Sequence, residues 1–280
     1  MKLLITGASS YVGAKIYDDL KDIYEVVGTY HTNKLFKDLI SLDITREPDV
    51  FDIVQNFRPD YIIHVAANAS SIWCENNPTD ATTLNQQATK HLVDAANNNN
   101  SKMIYISSFA AVNPTNSYGK TKYNSEALVH QVKSGFIILR PSLIVGYSPN
   151  THNDRPFNRL LKHIRENSKA SYDTSWKFQP TYLRHISEII QKIIESNIFN
   201  EIIPIATPEI KSRFDLAKDI LTPFNITVNS EDKKDTSPTF SEDLSKLKKL
   251  DLPEYTYKEM IRNIIEEIKE RENTAPLPLK

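Results

Sequence analysis

Two short segments of the chain carry residues that can do chemistry together. TGASSYVG occupies residues 6–13 and SYGKTK residues 117–122, with the serine pair Ser107 and Ser108 between them. Tyr118 and Lys122 are four residues apart, so on a helix they share a face, where an ammonium can depress the pKa of a phenol from its usual value of about 10. A carbonyl that accepts hydride also needs a donor to hold its oxygen, and Ser108, at the carboxyl end of the strand-like MIYIS, is the candidate. Its neighbour Ser107 must point the other way. In this reading Ser108 holds the oxygen and Tyr118 gives the proton, while Lys122 acidifies the tyrosine and anchors a nicotinamide ribose. The pattern is that of a nicotinamide-dependent oxidoreductase or epimerase.

These side chains need a cofactor beside them, and TGASSYVG has the context of a dinucleotide turn, between a predicted strand and a predicted helix. Gly7 permits the tight turn and Gly13 the close approach of helix and strand. The backbone at Ser9, Ser10, Tyr11 and Val12 would then face a pyrophosphate, aided by the helix dipole. Ser10 stands where a middle glycine is common, which a negative φ would allow. After the second strand the chain reads TYHTNK. An acid there would bind the 2′-hydroxyl of NAD, but none lies between Thr29 and Lys34, whereas His31 and Lys34 suit the 2′-phosphate of NADP. NADP(H) is therefore preferred, with NAD(H) as the alternate. Asp43 is placed either to meet an adenine amine or to cap the next helix.

The elements that must position these groups alternate. KLLIT, EVVGTY, YIIHV, MIYIS and FIILR are apolar runs separated by amphipathic stretches, the signature of βαβ units. Continuous rather than alternating hydrophobicity suits a parallel sheet covered on both faces. The expected fold is α/β, a Rossmann-type doubly wound sheet over residues 1–146. Residues 147–273 form a smaller, mainly substrate-binding α/β region with some segments returning to the first domain, and 274–280 a flexible tail. Helices are expected at 157–167, 185–196, 213–221 and 257–270, and a short strand at 201–206. Residues 168–181 show no clear period, and the asparagine run at 97–100 is read as a helix-ending loop.

Bulk properties narrow the function. The chain has 280 residues with 34 Lys and Arg against 35 Asp and Glu, so it lacks the basic footprint of a nucleic-acid binder. The single cysteine, Cys74, excludes an internal disulfide framework, and it is read as a small buried hydrophobe. No apolar run is long enough for a membrane span, and no signal-peptide pattern opens the chain, which together point to a cytoplasmic protein. His64, inside an apolar strand, is expected to be structural, and no cluster has metal-ligand spacing.

In order along the chain, LITGASSYVG, LDIT at 42–45, RPDYIIHVAA at 58–67, Cys74–Glu75, Asn85, YISS, NSYGKTKYNSE, ILRPS and QPTY at 179–182 resemble the extended short-chain dehydrogenases/reductases, and most closely the dTDP-4-dehydrorhamnose reductase branch of the NAD-dependent epimerase/dehydratase superfamily. The resemblance implies reduction of a keto group on a nucleotide-sugar with NADPH or NADH. It adds Ile44, Ala66 and Ala67 to the expected cofactor contacts and carries over the roles of Ser108, Tyr118 and Lys122. Two readings remain beside it: a nucleotide-sugar epimerase or dehydratase that retains NAD, and a non-catalytic, cofactor-binding regulatory subunit. The chain also departs from the branch. Tyr118 follows Ser108 by only ten positions, and ASSI followed by Trp73 replaces the usual TDVD. The mouth of the site is therefore expected to be apolar, with Trp73 and Phe109 near the substrate. Arg184, Lys211 and Arg213 are candidates for a substrate diphosphate, and a homodimer through the helices at 84–96 and 118–132 is left open.

Overall fold

The computed structural model describes residues 1–274. Its first half runs in βαβ succession, with β3 following β2 directly and three consecutive helices between β4 and β5: β1 (Lys2–Thr6), α1 (Tyr11–Leu20), β2 (Glu25–Tyr30), β3 (Ile40–Ser41), α2 (Glu47–Phe57), β4 (Tyr61–His64), then α3 (Ser71–Asn76), α4 (Pro78–Thr82), α5 (Ala88–Asn99), β5 (Lys102–Ile106), α6 (Ser117–Val129) and β6 (Phe136–Pro141). A single wide π-type turn, Thr83–Gln87, joins α4 to α5. The second half adds β7 (Ile144–Val145), α7 (Pro156–Glu166), β8 (Ala170–Asp173), β9 (Lys177–Phe178), β10 (Thr181–Tyr182), α8 (Leu183–Ser196), β11 (Glu201–Ile205), β12 (Lys211–Ser212), α9 (Arg213–Leu221), β13 (Val228–Glu231), α10 (Ser245–Lys249) and α11 (Tyr257–Thr274).

Seven strands form one parallel sheet in the order β11-β6-β5-β4-β1-β2-β3. Leu4 pairs in register with Val27 and Ile62, and Thr6 with His64. Because successive side chains of a strand face opposite ways, each buried strand feeds two cores. Leu3, Ile5, Ile63 and Ile104 pack with α8 and α11 residues such as Ile189, Ile193 and Ile264 on one face. Leu4, Ile62 and Met103 pack with Val50, Val54, Leu92 and Val129 from α2, α5 and α6 on the other. This double burial is what the uninterrupted apolar runs require. The strand order reverses between β1 and β4, so a crevice opens beyond their carboxyl ends, where ligands of such sheets bind.

Residues 168–181, without period in the sequence, hold three short strands whose partners are distant: β8 pairs with β13, β9 with β12 and β10 with β7. The strand expected at 201–206 is β11, which joins the central sheet beside β6. The asparagine run is helical rather than a loop as far as Asn99, and the left-handed conformation that ends α5 falls on Asn100 (φ 58°). Of the expected tail, 275–280 lies outside the described residues. Among the described residues no helix is long and apolar enough to cross a membrane, and no three His, Cys, Asp or Glu side chains form a metal-holding group.

Candidate active site

The turn after β1 is built so that backbone alone fills it. Gly7 has φ +70°, and a Cβ there would lie 2.9 Å from the Ala66 backbone, while one on Gly13 would lie 2.1 Å from the Gly7 carbonyl oxygen. Ser10 has φ −74° and caps α1: its hydroxyl accepts from the Gly13 amide at 3.0 Å. The negative φ explains why serine is tolerated at this position. Helix geometry gives the Tyr11 and Val12 amides no internal acceptor, and Ser10, Tyr11 and Val12 all line a cavity of about 610 Å³. A cradle that a Cβ would fill, with free amides at a helix start, fits a dinucleotide pyrophosphate. Ser9 contributes differently, because its carbonyl accepts from Asn150 Nδ2 at 2.6 Å. That bond, the Tyr11 hydroxyl to Gly146 O (2.6 Å) and the Ser148 hydroxyl to Tyr11 O (2.7 Å) strap the segment after β7 onto the turn.

Beyond the end of β2, His31 and Lys34 are exposed. His31 Nε2 lies 3.9 Å from Asp43, and the Lys34 ammonium sits over the Tyr30 ring at 5.7 Å. Asp43 does not cap α2. Its carboxylate accepts from the Thr45 hydroxyl (2.7 Å) and amide (3.0 Å), and those bonds hold it below the usual carboxylate range. Ile44 is buried, Ala66 closes on Gly7, and Ala67 lines the cavity.

Opposite the turn stand Ser108, Tyr118 and Lys122, all on the same cavity. Helix α6 begins where two caps meet: Asn116 Oδ1 accepts from the Gly119 amide (2.8 Å), and Glu75 accepts from the Ser117 amide (2.6 Å) and hydroxyl (2.9 Å). This fixes the first turn, which carries Tyr118. One turn on, the buried Lys122 ammonium donates to Ile106 O at 2.8 Å and lies 4.5 Å from the centre of the Tyr105 ring. The electrostatics differ from the expectation of an acidified phenol. Burial pushes Tyr118 up to about 12, opposed by hydrogen bonding with Ser108 and by the Arg155 charge. Burial also brings Lys122 down to about 7, opposed by Glu126. Loss of solvation outweighs the neighbouring charge for both groups. Ser108 is extended and its Oγ also accepts from the Ala110 amide at 3.2 Å. Ser107 instead bonds the Glu126 carboxylate.

The second half supplies the outer wall. Arg155, at the start of α7, lines the cavity, as do Asp154 and Arg159, which are paired with each other at 2.5 Å. Trp176 is buried against Phe178 and Phe240, donates Nε1–H to Pro238 O (3.0 Å) and carries Arg213 over its ring at 5.0 Å. Arg213 therefore reaches the cavity, unlike four other expected residues. Arg184 is exposed on α8 and paired with Glu188 (2.9 Å), and the Lys211 ammonium sits over Tyr257 (4.3 Å). Phe109 is buried beneath the wall with its ring 6.5 Å from that of Phe240. Trp73 lies on α3 outside the lining, which takes Ile72 instead. Sequence reasoning missed Arg155, Trp176 and Glu126. Only Glu126, one turn beyond Lys122, carried a signal, the same four-residue spacing.

His64 is held between Thr6 Oγ1 (2.8 Å) and Thr89 Oγ1 (3.1 Å), and burial lowers it to about 3. Cys74 is buried beside Asn85, whose amide exchanges hydrogen bonds with the Asn68 backbone at 2.8 and 3.0 Å and so anchors the loop after β4.

Sheet order, glycine turn and helix α6 define a Rossmann-type protein of the extended short-chain dehydrogenase/reductase class. More narrowly, the chain belongs to the RmlD substrate binding domain family, whose model matches residues 1–267. It is similar to a dTDP-4-dehydrorhamnose reductase of Aggregatibacter actinomycetemcomitans, 28% identical over 71% of this chain and 69% of that one. It is also similar to the methionine adenosyltransferase 2 subunit beta of Xenopus tropicalis, 26% identical over 70% of this chain; the match spans only 63% of that subunit's length. Among solved structures, the dTDP-4-dehydrorhamnose reductase of Bacillus anthracis in complex with NADP shares the fold with a TM-score of 0.82 at 22% identity, covering 95% of this chain and 99% of that one. The UDP-glucose 4-epimerase of Thermotoga maritima shares it with a TM-score of 0.82 at 18% identity, over 97% and 100%.

Proposed function

We propose that the chain is an NAD(P)H-dependent reductase of a keto group on a nucleotide-sugar. The observation that carries this reading is that Ser108, Tyr118 and Lys122 face one cavity with the open amides of Tyr11 and Val12. A bound reduced nicotinamide supplies hydride to the carbonyl carbon. The protein's part is to receive the resulting charge on oxygen. The Ser108 hydroxyl donates to that oxygen, and Tyr118 delivers its proton to it. A phenol held near 12 stays protonated throughout the neutral range, so its proton is in place when charge develops on the substrate oxygen. Lys122, near 7, is partly charged at neutral pH and stabilises the tyrosinate left behind.

The 2′-phosphate of NADP is assigned to His31 and Lys34, since no Asp or Glu follows β2 in the chain before Lys34 to meet a 2′-hydroxyl, and Asp43, 3.9 Å from His31, is bonded by Thr45. The substrate's nucleotide half is assigned to the wall built from Arg155, Trp176 and Arg213, an aromatic face with cations beside it. The reductase named among the relatives makes a dTDP-linked 4-keto-6-deoxy sugar the first substrate to try. With it, Tyr118→Phe should lower NADPH oxidation at least a hundredfold while leaving the NADPH dissociation constant within twofold. Undiminished turnover in that variant would remove Tyr118 as the acid.

The beta subunits among the relatives favour a second reading, a non-catalytic subunit that binds a dinucleotide and acts on a partner enzyme. It is selected over the first if no keto sugar is reduced by the unaltered protein while a methionine adenosyltransferase-type catalytic subunit binds it and changes rate.

A further inference from the structure

Behind the cavity lies a buried cluster that the proposed chemistry does not use. Glu126 stands on α6 one turn beyond Lys122 and two turns beyond Tyr118, so all three project from one side of the helix. Its side chain is only 5% exposed. Arg140, on β6, grips both carboxylate oxygens, Nε to Oε1 at 3.0 Å and the second guanidinium nitrogen to Oε2 at 2.6 Å. The third donor is the Ser107 hydroxyl. Removing a carboxylate from water is expensive unless its lone pairs are satisfied, and here they are, by groups from two adjacent strands. A cluster serving only to join α6 to the sheet could be replaced by apolar packing at equal or better stability. This one instead fastens the residue next to Ser108.

We propose that Glu126 is a positioning residue for the Ser108, Tyr118 and Lys122 site, holding the end of β5 and the helix that faces it in fixed relation through Ser107 and Arg140. The inference rests on the reductase reading of those three residues. The geometry runs through three consecutive residues of one strand end. Ile106 gives its carbonyl to the Lys122 ammonium (2.8 Å), Ser107 gives its hydroxyl to Glu126, and Ser108 reaches the cavity. A shift of the Ser107 tether therefore moves both the Lys122 acceptor and the Ser108 hydroxyl relative to Tyr118. Glu126 has a second effect, because its charge favours the ammonium form of Lys122 against burial. The other groups facing that ammonium are Cys74 from α3, His64 from β4 and the Tyr105 ring from β5.

The test uses the full chain with Glu126→Gln, which keeps the shape and removes the charge, and with Ser107→Ala, which removes only the tether. Glu126→Gln should lower kcat at least tenfold with the NADPH dissociation constant within twofold, and should move the alkaline limb of the kcat profile to lower pH, because Lys122 then loses its proton earlier. Ser107→Ala should lower kcat about threefold to tenfold with no movement of that limb. A readout that needs no substrate accompanies these: the titration of the Lys122 side-chain nitrogen by NMR of ¹⁵N-lysine-labelled protein, assigned with Lys122→Arg, should shift down in Glu126→Gln. A folded Glu126→Gln protein with unaltered kcat and an unaltered Lys122 titration would overturn the proposal. If that variant does not fold, Ser107→Ala decides, and wild-type kcat there overturns it equally. If the unaltered protein reduces no keto sugar, the reductase reading fails by itself, and the Lys122 titration still reports on Glu126.

Discussion

Lys122 gives the site a stability signature that can be measured without any substrate. Burial brings its pKa from the ordinary 10.5 to about 7, and its residue is only 3% exposed. The folded state therefore releases a proton that the unfolded chain still holds between those two values. Stability rises with pH wherever the unfolded state binds more protons, so the contribution is fully present above the unfolded value and is lost as pH falls through 7. Three and a half units at 1.36 kcal/mol each set a ceiling of about 5 kcal/mol. Between pH 7 and pH 9.5 the unfolded lysine stays almost fully protonated while the folded one empties, which leaves about 3 kcal/mol of that ceiling to be gained. The perturbation is Lys122→Met, which keeps length and apolar bulk and removes the titration. Urea unfolding of both proteins at the two pH values gives a difference of differences in which groups common to both cancel. Tyr118, held near 12, stays protonated throughout this window. The unaltered protein should gain about 3 kcal/mol on the Met variant as pH rises. Parallel pH dependence in the two, to within about 0.5 kcal/mol, would show that the ammonium is solvated in the fold. The account of Lys122 and Tyr118 as groups governed by burial would then be wrong.

The glycine turn and the buried imidazole give two further expected outcomes. Gly13→Ala would place a Cβ 2.1 Å from the Gly7 carbonyl, and forcing that turn apart, at a cost of about 1–3 kcal/mol, should weaken NADPH at least fivefold in a calorimetric titration; an unchanged dissociation constant would mean that the turn does not hold the pyrophosphate. His64, lowered to about 3 by burial, should cost the fold stability as pH drops below 6.5, because only the unfolded chain takes up the proton. Relative to His64→Gln, urea unfolding should show a loss of about 1.5 kcal/mol between pH 6.5 and pH 5, and equal acid sensitivity in the two proteins would count against a neutral, doubly hydrogen-bonded imidazole.

The parts of this molecule that could be read from sequence are those whose geometry is local. A glycine turn between strand and helix depends on neighbours in the chain, and so do the four-residue spacing of Tyr118 and Lys122 and the continuous apolar runs of a doubly covered sheet. What could not be read depends on partners far away in sequence. The short strands β8, β9 and β10 pair with segments 30 or more residues distant, and their own side chains hold no period because each strand is two to four residues long. The same distinction separates the two tryptophans. Trp73 follows the loop after β4 and was the natural choice for the mouth of the site, but the aromatic wall is Trp176, brought there by an Asp173 carboxylate that accepts from the Ser175, Trp176 and Lys233 amides.

Electrostatics follow the same rule. Spacing alone places an ammonium beside a phenol and argues for acidification, since charge–charge effects along a helix are visible in the sequence. Solvation is not visible there. It depends on how many other elements close over the pair, and here α3, β4 and β5 all do. Once water is removed, burial of each group on its own account draws Lys122 toward its neutral form and holds Tyr118 in its protonated one. For a site that must protonate an alkoxide, this arrangement needs no depressed phenol: it needs a proton held until charge develops on the substrate oxygen, and a carboxylate, Glu126, placed to favour the ammonium form of Lys122 when the tyrosinate is formed.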